Sequence, residues 1–248
     1  MKVNTVLDNR VFDVPYSPST TAEDICVYVC KQLGISPITR HLFALRITGK
    51  QNFLRPSSLF TEKYTQFDLR IRFKVPIVHK LRKIDERTYD YYFHQARTDV
   101  LENKIPDIVY EKYRRELVGL GITDMYRVML EKDIPRETVE NEYKKYIPKE
   151  VLKRHSFFIK KPIHDTLGKL QKSVHDAKYV KAEYLKQLDI IAPEYLSEVY
   201  KAVTDEDGAV CSVFIKTTPN HPTEPGIKYC MESKKEVRGN IRVFVCLH

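Results

Sequence analysis

The chain has 248 residues, 42% hydrophobic and 30% charged, with 42 lysines and arginines against 33 acidic residues and a net charge of +9. That balance is one of a soluble folded protein with room for one large domain or two to three small ones, and it excludes a disordered chain. No apolar run approaches the roughly 18–20 residues that cross a bilayer, and the opening MKVNTVLDNRVF has no continuous apolar stretch of the secretory-signal kind.

Five cysteines, Cys26, Cys30, Cys211, Cys230 and Cys246, contain no CxxC pair. An odd, unpatterned set suits a reduced cytosol. The pI near 9.1 admits nucleic acid, anionic lipid or an acidic protein as partner without choosing among them.

In the first segment, Lys2–Leu7 and Arg10–Val14 are β-rich runs joined by an Asp8-Asn9 turn. Thr20 or Thr21 offers a helix N-cap, with Glu23 and Asp24 in the first turn. Ala22, Ile25, Val29 and Leu33 form one helical stripe, and Gly34 supplies the stop. Strands are expected over His41–Ile47, Gln51–Leu54 and Asp68–Val75, with a turn at Gly49-Lys50 and a close at Pro76. Two strands, a helix and two or three more strands make a β-grasp, ubiquitin-like lobe over residues 1–76.

From residue 85 to 194 the apolar period changes from two to 3.6. Tyr89, Phe93, Ala96 and Val100 mark one helix, and Val118, Ile122, Met125 and Met129 a second. Ile163, Leu167, Leu170 and Val174 mark a third; Val180, Tyr184, Leu188 and Ile191 mark a fourth. Four amphipathic helices with proline-marked corners, one of them Tyr146-Ile147-Pro148, form a bundle. Gly119 and Gly121 each cost roughly 1 kcal/mol against alanine inside a helix, which predicts a close helix–helix approach there.

Charge is concentrated in the last two of these helices. Between Lys144 and Lys186, 12 lysines and arginines face only 4 acidic residues. Lys153, Arg154, Lys160, Lys161, Lys169 and Lys172 would sit on outward faces and attract an acidic partner or an anionic membrane, at about 1 kcal/mol per charge near such a leaflet. A merely solvated surface has the same composition. Phe157, Phe158 and Ile159 either pack into the bundle or wall an apolar groove inside that basic rim. No aromatic platform or helix-turn-helix spacing accompanies the lysines, so nucleic acid is not expected.

Residues 195–248 read as a third piece, with strands at Ala209–Thr217, Ile227–Met231 and Ile241–Leu247. Three strands cannot close a sandwich, so this piece is expected to be incomplete, with an open edge.

The stretches AEDICVYVCKQLGISPITRHLFAL, RTYDYYFHQARTDVLENKIP, ELVGLGITDMYRVMLE, YKKYIPKEV and VKAEYLKQLDIIAP, in register over about residues 10–230, resemble the FERM domains of Janus kinases, most of all the invertebrate members. The resemblance implies an α+β, three-lobed fold. Its lobes are a ubiquitin-like F1 lobe (1–76), a four-helix acyl-CoA-binding-protein-like F2 lobe (85–194) and a pleckstrin-homology-like F3 lobe (195–248), of which only the first strands are present. It also implies a module that holds the membrane-proximal cytoplasmic tail of a cytokine receptor, with F2 taking the proline-rich segment nearest the membrane. The rest of the kinase would then be a partner in cis, and the location cytoplasmic, at the inner face of the plasma membrane. After Tyr229 the likeness fades, so a fragment, a truncated gene model or a natural short form is expected.

A membrane–cytoskeleton linker binding phosphoinositides and membrane-protein tails is the alternative, and the DMYRV and YIP strings favour the Janus branch. Within this chain there is no glycine-rich phosphate loop, HRD…N, DFG, GxSxG or HExxH. No catalysis, cofactor or metal is expected of it, and the parent is expected to be a non-receptor tyrosine kinase.

Overall fold

The computed structural model describes residues 1–50, 52–60, 65–75, 78–105, 108–203, 210–217 and 227–233, and among these not the side chains of 79, 154–158 or any from 199 onward. The chain forms two compact units. One holds Met1–Asn4, Val11–Arg87 and the chain from Leu196; the other holds Thr5–Arg10 and Thr88–Tyr195.

The first unit is built on strands β1 (Lys2–Asn4), β2 (Val11–Asp13), β3 (Phe43–Ile47) and β4 (Gln66–Ile71). Their order in the sheet is β2-β1-β4-β3, with β1 parallel to β4 and the other pairs antiparallel. A parallel central pair flanked by antiparallel edges is the β-grasp arrangement. The turn between β1 and β2 has positive φ at both Asp8 and Asn9, residue types that enter the left-handed region at low cost.

Helix α1 (Ala22–Gln32) crosses this sheet. Thr21, one of the two expected caps, accepts from the Asp24 amide while the Asp24 carboxylate accepts from the Thr21 amide, a complete capping box. Ile25, Val29 and Leu33 are all at most 1% exposed, and Gly34 ends the helix with φ +72°. Strands β1, β2 and β3 are shorter than expected, and two further strands differ more. The last one starts at Gln66 and ends at Ile71, because Phe67, Leu69 and Ile71 point inward while Phe73 and Val75 continue past its partner. Of Gln51–Leu54 only one bridge is described, Phe53 against Arg46.

A short helix α2 (Val78–Ile84), not anticipated, follows. The carboxylate of the next residue, Asp85, accepts from Ser36 N at 2.8 Å, Thr39 Oγ1 at 2.6 Å and Arg87 N at 3.0 Å. Toward the end of the chain, β5 (Glu198–Val203), β6 (Val210–Thr217) and β7 (Ile227–Ser233) form an antiparallel sheet in that order. The sequence pattern missed β5. The expected strand Ile241–Leu247 and the close at Pro76 lie outside the described residues.

The second unit is helical: α3 (Glu86–Leu101, its body), α4 (Arg114–Lys132), α5 (Arg136–Asn141), α6 (Lys149–Leu170) and α7 (Ala177–Ile191). The expected stripes of α3 and α7 are buried as read: Tyr89, Phe93, Ala96 and Val100, then Val180, Tyr184, Leu188 and Ile191. In α4 the expected stripe holds in part. Ile122 and Met125 are buried, whereas Val118 and Met129 are only half-buried, and Leu117, Leu120, Gly121, Asp124 and Val128 are buried as well. Helix α4 is the central helix, so burial extends round it and a one-sided apolar pattern misses polar members such as Asp124.

Candidate functional site

Helix α6 carries the basic segment. Glu150 sits in its first turn and Lys169 in its last, charges that suit the helix dipole. Val151, Ile159, Ile163 and Leu167, spaced by multiples of four, are each at most 4% exposed and turn one face inward. Pro162 stands inside the helix and lacks an N–H, so the carbonyl of residue 158 has no helical donor there.

On the outward face Lys160, Lys161 and Lys169 are exposed, as is Lys172 in the turn beyond the helix. Among the described residues none of these four has an acidic group within ion-pairing distance, and Asp165 is the one acidic residue between Lys160 and Lys172. Lys153 is exposed as well, but its ammonium lies 2.7 Å from Glu150. Ile159 is in the core of the lobe. The side chains of Arg154, Phe157 and Phe158 lie outside the described residues.

Helix α5 clasps α6 from the side. Arg136 pairs with Glu140 and donates from Nη2 to the His164 carbonyl at 2.6 Å, while His164 Nδ1 lies 3.1 Å from Glu140 Oε2. Gly168 makes this seat: a Cβ there would stand 2.8 Å from Arg136 Nη1. Burial opposes ionisation of Glu140, but its hydrogen bonds to Arg136 and His164 hold its carboxyl below the ordinary value.

Across α3, α4 and α7 runs an ion chain that the sequence pattern did not reveal. Arg97 pairs with Asp124; Asp124 lies 2.7 Å from Arg127; Arg127 pairs with Glu131; Glu131 lies 2.7 Å from Lys181; and Lys181 lies 2.8 Å from Asp90. Six charges alternate in sign across α3, α4 and α7. Phe93 sits beneath the Arg127 guanidinium and the Lys181 ammonium, 5.0 and 5.7 Å from its ring centre. Lys181 is only 7% exposed, so it does not belong to the attractive surface its place in the sequence suggested. The signal for it was available: Val180 and Tyr184 bracket it on the buried stripe.

The same setting explains two titration shifts. Burial, then the positive charges of Arg127, Lys181 and Arg97, pulls His94 down to about 4. Burial pushes the Tyr184 phenol well above its ordinary value, with Asp124 adding to it. The lobe therefore keeps His94 neutral near pH 7. Among the described residues no group of His, Cys, Asp and Glu is arranged to hold a metal ion, and no helix is long and apolar enough to cross a membrane.

The β-grasp lobe, the helical lobe and the following antiparallel strands define a FERM fold, and residues 8–87 match the FERM F1 ubiquitin-like domain family. The fold as a whole is similar to the MyTH4-FERM MF2 domain of Dictyostelium discoideum myosin VII, with a TM-score of 0.64 at 16% identity over 94% of this chain and 48% of that one.

Within the FERM class, the sequence likeness is to Janus-type tyrosine kinases. It is 28% identical over 201 residues to tyrosine-protein kinase hopscotch of Drosophila melanogaster, covering 75% of this chain and 17% of that kinase. To tyrosine-protein kinase JAK3 of Rattus norvegicus it is 24% identical over 205 residues, covering 72% and 19%. The chain thus has a FERM fold and is similar to the FERM region of Janus-type kinases, and it spans less than a fifth of the length of these relatives. The likeness falls on their FERM region and not on their kinase domain.

Proposed function

We propose that this module docks the membrane-proximal cytoplasmic tail of a cytokine receptor on its helical lobe, on behalf of a tyrosine kinase joined to it in cis. The observation that carries the reading is the similarity to two Janus-type kinases over some 200 residues. The surface is the face of α6 and its following turn, where Lys160, Lys161, Lys169 and Lys172 project without internal partners. These charges act first at range, raising the encounter rate with an acidic segment or an anionic leaflet. They do so within a Debye length of about 8 Å at physiological salt. Lys153 and Arg154 extend the same face, and Phe157 and Phe158 stand beside it in sequence as a candidate apolar seat. The alternating charges tie α3, α4 and α7 to one another, so that the docking lobe is preorganised.

The test is fluorescence anisotropy with a labelled receptor peptide spanning the proline-rich segment nearest the membrane. The double variant Lys160→Glu, Lys161→Glu is expected to bind about tenfold more weakly, two rim charges being reversed at about 0.7 kcal/mol each. Equal affinity of variant and parent would remove this face from the site.

A further inference from the structure

The turn between α6 and α7 does not follow its apolar pattern. Val174 continues the series of Ile163 and Leu167, yet it is 100% exposed. The helix stops at Leu170, and the six residues Gln171–Asp176 that follow are all exposed.

This turn is nevertheless held in place. Gln171 N donates to Leu167 O at 2.9 Å, Lys172 N to Lys169 O at 3.2 Å and Ser173 N to Leu170 O at 2.9 Å. Tyr126 Oη donates to the Ser173 carbonyl at 3.0 Å, and Asp176 caps α7 by accepting from Tyr179 N at 2.6 Å. The His175 ring stacks on Tyr179 at 4.8 Å and 17°, and Tyr179 is itself 49% exposed. A fully exposed valine thus stands on a pinned turn, beside an aromatic stack and the exposed Lys169 and Lys172.

We propose that this turn is a lipid contact: Val174 enters the boundary between headgroups and acyl chains of an anionic bilayer. The His175–Tyr179 pair would lie at headgroup level and Lys169 and Lys172 on the lipid phosphates. Three features favour a bilayer over a protein partner. An apolar tip with a basic rim and an amphipathic aromatic is the pattern of interfacial segments. The hydrogen bonds already made by Gln171, Lys172 and Ser173 lower the cost of dehydrating the turn. A single protruding valine also gives a protein partner little area, whereas a fluid surface closes round it. The charge is complementary too, because Lys169 and Lys172 have no acidic partner among the described residues and outnumber Asp176, the one carboxylate of the turn. The inference rests on the lysine face working at a membrane, but it does not require the receptor.

The chain contains no tryptophan, which supplies a clean reporter. In the full chain, Val174→Trp is titrated with vesicles of phosphatidylcholine alone and of phosphatidylcholine with about a third phosphatidylserine, the latter with and without brominated acyl chains. Ile190→Trp, at the far end of α7 and 73% exposed, is the control. The proposal expects a blue shift and bromine quenching at position 174 only, on the anionic vesicles only. It also expects the uncharged Val174→Ser to weaken cosedimentation with them about tenfold. No shift at 174, with or without cosedimentation, or an equal shift at 190, would overturn it. Lost peptide binding with an intact shift at 174 would instead count against receptor docking alone.

Discussion

Two glycines two residues apart in α4 have opposite roles. A Cβ on Gly121 would lie 2.3 Å from Ile147 Cδ1 and 2.6 Å from the Tyr146 carbonyl, so the helix abuts the Tyr146-Ile147-Pro148 corner there. A Cβ on Gly119 would meet nothing within 4 Å. The expected close approach is therefore real at Gly121, against a corner and not a helix, and absent at Gly119. Gly121→Ala should destabilise by about 2–3 kcal/mol, since the obstacle includes backbone. Gly119→Ala should stabilise by up to about 1 kcal/mol. Urea denaturation checks both signs.

Asp124 is 2% exposed between two guanidinium groups. Asp124→Ala strands Arg97, leaves Arg127 with Glu131 alone, and should cost about 3–5 kcal/mol on the same measurement. For His94, whose folded value is about 4 against an ordinary 6.5, the unfolded chain takes up a proton in that window that the fold refuses. Its contribution is complete above pH 6.5 and fades as pH falls toward 4, by about 2 kcal/mol at pH 5. Thermal melts at pH 7 and 5 should show a smaller loss for His94→Gln than for the parent. Neither the buried Asp124 nor the half-buried His94 was legible in the sequence as a group set among charges, because such a polar side chain is identified by partners that come from other helices.

At the scale of elements, one-sided stripes in helices that lie on the surface of a lobe were read correctly, as in α1, α3 and α7. The errors have two physical sources. Helix α4 is surrounded, so its burial has no single stripe. Helix α6 ends before its apolar series does, and the end is made by turn hydrogen bonds at Lys172 and Ser173 that no glycine or proline announces. The lysine face itself was legible as charge, but its content was not. Lys181 is spent inside the lobe, and Lys153 is shared with Glu150. The clasp of α5 on α6 gives a test at this scale. Gly168→Ala should push Arg136 from its seat and cost about 1–2 kcal/mol. Gly168→Ala combined with Arg136→Ala should recover part of that loss, a coupling that a double-mutant cycle reads directly.

At the scale of the molecule, the β-grasp order and the switch to helical period were enough to place the chain in the FERM class, because both patterns are local and repeat within each lobe. Receptor choice is not local. It depends on groups brought together on one surface, and composition reports their sum without their arrangement. The most direct test of the docking claim is isothermal titration of the full chain with a receptor peptide from the proline-rich, membrane-proximal segment, run beside a scrambled peptide of the same composition and charge. Saturable one-to-one binding to the native order is expected, weakened by salt through the lysine face, with much weaker binding to the scrambled peptide. Equal binding of both peptides would reduce the face to a non-specific charge patch, and no binding of either would contradict receptor docking outright.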